Sequence, residues 1–230
     1  MSAIDLLKNK QKGEEIVENS LTTFINPFSY LFLRKDLELY RQFDYLLIDG
    51  IALIYLLRLI GVKTSRCSFD MTSLAPIVFE SAIAGKNSVY FIGSSRESIN
   101  SFIEVIKSCF KGINIIGFRN GFFSDELEKE KSLNNIVRLN PEIIIVGMGT
   151  PLQEQFLIDL KNKGWSGMGY TCGGFIHQTA KGTRYYPNFY NRYNLRWLYR
   201  IIDEPKLIKR YLINYPKSVM LFFLDYIRNN

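Results

Sequence analysis

Pro141-Glu142-Ile143-Ile144-Ile145-Val146-Gly147-Met148-Gly149-Thr150-Pro151-Leu152-Gln153-Glu154 is the stretch that decides the fold. Its β-branched run carries no alternating polar residues, so the strand it forms is buried on both faces, as in a parallel sheet between helices. Pro141 separates this strand from a helix ending near Leu139, because a residue before proline is driven out of helical geometry. Two glycines and a Thr-Pro helix start follow the strand. They leave a cradle of backbone amides suited to a phosphate or a sugar. Gln153 and Glu154 then fall in the first turn of the next helix and are expected to face the same crevice.

The same unit recurs on either side. Short apolar runs at 21–25, 45–48, 88–92, 113–117, 142–146 and 167–172 alternate with longer amphipathic stretches, which is the pattern of parallel strands connected by helices. Asn26-Pro27, Ser94-Ser95 and Ser124-Asp125 supply helix starts, each with a polar cap. The expected fold is α/β: a Rossmann-like, mostly parallel sheet with helices on both faces. It spans residues 1–190 and is followed at 191–230 by a basic, aromatic, helical appendage. That appendage is expected as short helices at 194–202 and 206–214, broken by Pro205 and Pro216, and a last stretch at 217–228. The last stretch suits either a membrane interface or packing against the main body.

Ligands in such sheets bind outside the carboxyl ends of the strands. Those ends fall at Asn26, Asp49-Gly50, Gly93-Ser94-Ser95, Gly147-Met148-Gly149-Thr150 and Gly173-Gly174, so polar residues and glycines gather on one rim. Asp49 directly follows a Leu-Leu-Ile strand, which lets its carboxylate accept a proton from a sugar hydroxyl, hold a ribose, or cap the helix beginning near Ile51. His177, the only histidine, follows Gly173-Gly174-Phe175-Ile176. It is not assigned as the base, since a lone histidine is more often a packed or hydrogen-bonded group.

Composition narrows the classes. With 230 residues, 47% hydrophobic and 22% charged, the chain can bury one large core. Cys67, Cys109 and Cys172 are widely spaced and form no metal-ligand pattern, so they are expected as ordinary buried thiols in a reducing cytoplasm. No secretory signal is expected at the start, and no run reaches the roughly 20 apolar residues of a spanning helix. From Lys181 onward there are ten Lys/Arg, including Arg184, Arg192, Arg196, Arg200, Lys206, Lys209 and Arg210, against three acids. That surplus equals the whole net charge of +7, so the end of the chain is built to meet anionic lipid, a substrate's phosphates or nucleic acid, or else to form a solvated basic face. No Asp-x-Asp pair or His/Cys/Asp cluster has the spacing of a metal site. A transferase of this kind would neutralise a leaving diphosphate with Arg, Lys and backbone amides.

Asp49-Gly50, Phe91-Ile92-Gly93, Gly117-Phe118 with Gly121-Phe122-Phe123, residues 141–154, Gly173-Gly174-Phe175 and Trp197-Leu198-Tyr199-Arg200 with Glu204-Pro205 occur in an order that resembles the WecG/TagA/CpsF glycosyltransferases, family 26. The resemblance covers roughly residues 20–212. It implies an inverting, metal-independent transfer of a sugar, N-acetylmannosamine-like or another hexose, from a UDP-sugar to a polyprenyl-diphosphate-linked acceptor in cell-envelope polysaccharide synthesis. No cofactor beyond the donor is implied. By the same resemblance Asp49 is the general base, Arg66, Gln153 and Glu154 are pocket residues, and Arg200 and Arg210 reach the diphosphate. Asn26, Gly93, Gly147, Gly149, Gly173 and Gly174 complete the expected substrate-binding set. The enzyme is then expected in the cytoplasm, peripheral at the inner membrane face, meeting lipid through its appendage and not nucleic acid, and open to forming a homo-oligomer. The chain departs from the family pattern at Phe24, where a threonine is usual, at Leu207, where an arginine is usual, at His177, where an aspartate is usual, and in the glycine missing from 65–72.

Two other classes remain open on the sequence. A nucleotide-dependent oxidoreductase would use the same core but lacks Gly-x-Gly-x-x-Gly followed by an acid about 20 residues on. A non-catalytic membrane-surface module would need only the basic tail.

Overall fold

The structure, a computed structural model, describes residues 2–11, 17–183, 185–193 and 195–228. The chain runs α1 (Ala3–Asn9), β1 (Leu21–Ile25), α2 (Pro27–Lys35), α3 (Leu37–Arg41), β2 (Tyr45–Ile48), α4 (Ile51–Leu59), α5 (Leu74–Ala84), β3 (Ser88–Gly93) and α6 (Arg96–Cys109). It continues through β4 (Asn114–Arg119), α7 (Glu126–Leu139), β5 (Ile143–Gly147), α8 (Leu152–Asn162), β6 (Met168–Thr171), α9 (Phe175–Ala180), α10 (Asn188–Arg192), α11 (Arg196–Asp203) and α12 (Tyr215–Arg228). Among the described residues the six strands form one sheet in the order β2-β1-β6-β5-β3-β4, and every registered pair is parallel.

The uninterrupted apolar runs of the strands are explained by burial on both faces. Tyr90, Ile92, Ile144 and Val146 pack on one side with Leu53, Ile54, Phe156 and Leu157. Val89, Phe91, Ile143 and Ile145, one residue out of phase, pack on the other with Phe79, Phe102 and Phe175. Helices on both faces follow from this, and so does a rim on which all strand ends point the same way.

The expected helix starts occur. Asn26 Oδ1 accepts from the amides of Phe28 and Ser29, Ser95 Oγ from Ser98, and Asp125 Oδ1 from Glu128. Four strands differ from expectation at their ends: β3 runs one residue further to Gly93, β4 begins at Asn114 and reaches Arg119, β5 is shifted by one residue, and β6 is trimmed to Met168–Thr171.

The end of the chain differs more. Pro205 does interrupt the helices, opening a 3-10 turn at Pro205–Leu207. Pro216 does not: helix continues from 208 to 228, passing through a π turn at Arg210–Asn214 into α12. The wider π turn directly precedes the proline, with the Tyr215 amide donating to Arg210 O, and Pro216 is the second residue of α12.

α12 packs on the main body. Phe222 is fully buried, with its ring 5.6 Å from that of Tyr30. Asp225 accepts from Tyr30 Oη at 2.7 Å and from Arg34 Nη2 at 2.8 Å. Met220, Leu224 and Ile227 on the same helix stay exposed. Arg184 and Asn194, parts of the expected basic tail and of its first helix, lie outside the described residues.

Candidate active site

The strand ends and the chain from Tyr186 onward enclose one large cleft of about 1140 Å³. Asp49 stands in it one residue past β2, its amide bonded to Ile25 O at 2.9 Å. Its side chain does not cap α4, whose cap is Gly50 with no side-chain hydrogen bond. The carboxylate remains 37% exposed and lies 3.3 Å from Arg66 Nη2. Partial desolvation by the cleft walls raises its pKa above the ordinary aspartate value, with Arg66 the largest influence opposing the rise and Asp70 adding to it. An aspartate so placed is a stronger base than one in water and has an open path to a ligand.

Arg66 lies in the segment joining α4 to α5, which is fixed to the end of β2 by the Cys67 amide donating to Ile48 O at 2.9 Å. Its Nη2 also meets Ser68 Oγ at 2.7 Å and Asp70 Oδ2 at 3.0 Å. The sequence offered no signal for Asp70, which lies in a loop with no motif of its own. Burial is the strongest single influence on Asp70 and works upward. Hydrogen bonds from Thr72 and Ser68, with the charges of Arg66 and Arg196, together outweigh it and hold the carboxyl below its usual value.

Opposite these acids the end of the chain brings positive charge. Arg200, Lys206 and Arg210 line the cleft together with Tyr186, Tyr211 and Tyr215. Arg200 is ion-paired with Glu204 at 2.9 Å. Arg210 stacks 4.2 Å above the Phe28 ring and reaches Asn26 Oδ1 at 3.4 Å. Both arginines keep a buried Nε with no hydrogen-bond partner. A buried donor without an acceptor is costly, so two such groups on residues that line the cleft suit an anionic ligand toward which the guanidinium groups can turn.

Of the expected substrate-binding residues, Asn26, Arg66, Gly147, Gly149, Gln153, Gly173, Gly174, Arg200 and Arg210 line this cleft. Gly93 and Glu154 do not. A Cβ on Gly93 would come within 2.4 Å of Gly147 O, so this glycine allows two strand ends to touch and is covered by them. Glu154 has no exposed surface. Its Oε1 accepts from Thr23 Oγ1 at 2.9 Å, Thr150 Oγ1 at 3.0 Å and Gln153 Nε2 at 3.0 Å, while Oε2 has no partner. Gln153, one residue earlier on α8, does face the cleft, and its Oε1 accepts from the Gly173 amide at 3.1 Å. Adjacent helical positions diverge by about 100°, so only one of the pair can face the cleft. Glu154 instead fixes β1, the turn at Thr150 and Gln153 to one another beneath the floor.

His177 lies on the cleft wall, with Nδ1 3.3 Å from Ser98 Oγ. Among the described residues His177, Asp203 and Glu204 form the one group within metal-ligating reach, their donor atoms lying within 4.8 Å of one another. Both acids are already matched by cations: Lys181 meets Asp203 at 2.8 Å, while Arg200 and Lys206 meet Glu204 at 2.9 and 3.5 Å. The group therefore carries little spare negative charge for a metal ion.

Comparison with known proteins agrees with this geometry. The model of the glycosyl transferase WecG/TagA/CpsF family matches residues 3–230. The UDP-Gal:alpha-D-GlcNAc-diphosphoundecaprenol beta-1,4-galactosyltransferase of Shigella boydii is 37% identical over 226 residues, covering 96% of this chain and 94% of that protein. An N-acetylglucosaminyldiphosphoundecaprenol N-acetyl-beta-D-mannosaminyltransferase of Bacillus spizizenii is 28% identical over 179 residues, 76% of this chain and 66% of that protein. Its counterpart in Bacillus subtilis is 24% identical over 228 residues, 95% of this chain and 84% of that protein. With an acid and two arginines lining one strand-end cleft, and a family match along almost its whole length, the chain belongs to the WecG/TagA/CpsF family of glycosyltransferases.

Proposed function

We infer that the enzyme transfers a hexose from a UDP-sugar to a sugar carried on polyprenyl diphosphate, with inversion at the anomeric carbon and without a metal ion. The observation that carries this reading is that one cleft is lined by the Asp49 carboxylate and by Arg200 and Arg210, each of which keeps an unpartnered Nε. Asp49 takes the proton of the acceptor hydroxyl as its oxygen attacks the anomeric carbon. The bond from that carbon to the β-phosphate oxygen breaks, and its electron pair leaves with UDP. A single displacement inverts the centre. Arg200, Arg210 and Lys206, with amides at the strand ends, stabilise the charge on the departing diphosphate in the role a divalent ion plays elsewhere.

The greater likeness to the galactosyltransferase than to the mannosaminyltransferases favours galactose as the donor sugar and an N-acetylglucosaminyl diphosphate lipid as the acceptor. No helix among the described residues is long and apolar enough to cross a membrane. Ile208, Leu212, Ile213, Met220 and Ile227 are exposed beside the exposed Lys209 and Lys217, a surface suited to lie on anionic lipid at the cytoplasmic face. The division at residue 190 is then functional: the core holds the base and the appendage supplies charge and membrane contact.

The test is transfer from UDP-galactose and UDP-N-acetylmannosamine, in EDTA, to a synthetic polyprenyl-diphosphate N-acetylglucosamine, with the product linkage read by NMR. A β-linked galactosyl product formed in EDTA is expected. An α-linked product, or loss of turnover in EDTA restored by a divalent ion, contradicts the reading. Flotation with vesicles containing anionic lipid is expected for the protein and is expected to weaken when Leu212 and Ile213 are changed to Ser. Flotation that is unaltered by those changes removes this surface from membrane contact.

A further inference from the structure

Asp70 is the most heavily bonded acid in the cleft. Its Oδ2 accepts from Arg66 Nη2 at 3.0 Å, Ser68 Oγ at 2.7 Å and Arg196 Nη1 at 3.0 Å. Its Oδ1 accepts from the Thr72 amide at 2.8 Å and from Thr72 Oγ1 at 2.6 Å. Phe69, beside it, is buried among Phe24, Phe79, Tyr170 and Phe175 and pins the loop to the core. One oxygen of a fixed carboxylate thus holds two arginines of different origin. Arg66 belongs to the core and reaches Asp49 with the same Nη2 atom. Arg196 opens α11, in the segment that brings Arg200 and Arg210 to the cleft, and its Nη2 also meets Thr72 Oγ1 at 3.0 Å.

We propose that Asp70 is a positioning residue that couples the seating of the C-terminal segment to Asp49, by gripping Arg196 and Arg66 on a single oxygen. This rests on Asp49 as the base and adds a condition to it: the base is set for catalysis only when the segment carrying the diphosphate-binding arginines is in place. The charged and titratable groups facing Asp49 are Arg66 and Asp70 from the loop after α4, Arg196 and Arg200 from α11, Tyr186 from the segment before α10, and Tyr215 from α12. The arginines favour its ionised form. Asp70 by its own charge disfavours it, so its direct effect and its positioning effect have opposite signs.

That opposition makes the proposal testable. Asp70→Asn keeps the shape but removes the charge that holds both arginines. If Asp70 positions them, they withdraw and the acid limb of the kcat/KM pH profile moves upward, by about half a pH unit or more. At neutral pH kcat falls about tenfold, and trypsin cuts the chain beyond Lys181 faster than in the wild type. Arg196→Gln is expected to move the limb in the same direction by a smaller amount, and Asp70→Glu to restore part of the loss. If Asp70 acts only through its own charge or as packing, the limb moves downward or stays, and the proposal is overturned. Should Asp70→Asn fail to fold, an unshifted limb in Arg196→Gln overturns it equally. Full activity in Asp49→Asn would defeat the base reading alone, and the tryptic comparison would still decide whether Asp70 holds the segment.

Discussion

A Cβ at Gly174 would lie 3.0 Å from Arg200 Nη2, so the guanidinium packs closely against this glycine. The glycine pair after β6 therefore acts by admitting an arginine delivered from α11. Gly174→Ala would also bring its methyl within 2.9 Å of Gln178 Nε2. Arg200 must then shift by a few tenths of an ångström, and the expected result is a KM for the UDP-sugar raised about two- to threefold with little change in melting temperature. Steady-state kinetics and a thermal melt check this, and an unchanged KM would show that Arg200 does not need that seat.

Arg210 offers a separate test of the anion site. Arg210→Lys keeps the positive charge but removes the buried Nε donor and the stacking on Phe28. UDP affinity, measured by calorimetry, is expected to fall about tenfold, because a planar, multidentate donor is replaced by a point charge. Affinity equal to the wild type would mean that the free Nε is not used by the diphosphate.

The sheet was legible in the sequence because parallel strands buried on both faces read as short apolar runs, and the glycines and polar residues that end them name the rim. Asp49, Gln153 and Gly174 could be placed in the cleft from strand position alone. Glu154 could not be separated from Gln153 by composition, because the direction of a single helical residue depends on where the helix starts. Gly93 looked like a ligand-facing turn, yet the close approach of Gly147 is what requires it. Asp70 and Arg196 had no signal, since their meeting joins segments 126 residues apart. Pro216 was misleading because helix runs on through it, after a π turn that no simple periodicity announces.

Glu154 should leave its mark on stability rather than on chemistry. Burial raises its pKa above the ordinary glutamate value, with hydrogen bonds from Gln153, Thr23 and Thr150 opposing the rise. The folded state therefore holds this proton more tightly than the unfolded chain does. The contribution to stability is complete below the unfolded-state pKa of about 4.3 and is lost as pH rises through the higher folded value. Glu154→Gln removes that dependence. Its melting temperature relative to the wild type is expected to rise with pH across this window. A difference that does not change with pH would show that Glu154 holds its proton no more tightly in the folded protein than in the unfolded chain.

In the proposed mechanism one carboxylate, Asp49, does the proton chemistry in a cleft whose arginines hold the nucleotide. Its most direct test is Asp49→Asn, assayed for single-turnover transfer from the UDP-sugar and for UDP binding by calorimetry on the same preparation. Turnover at least about 100-fold lower, with UDP affinity within about threefold of the wild type, is expected. Turnover close to the wild type, with the nucleotide bound as before, would contradict it.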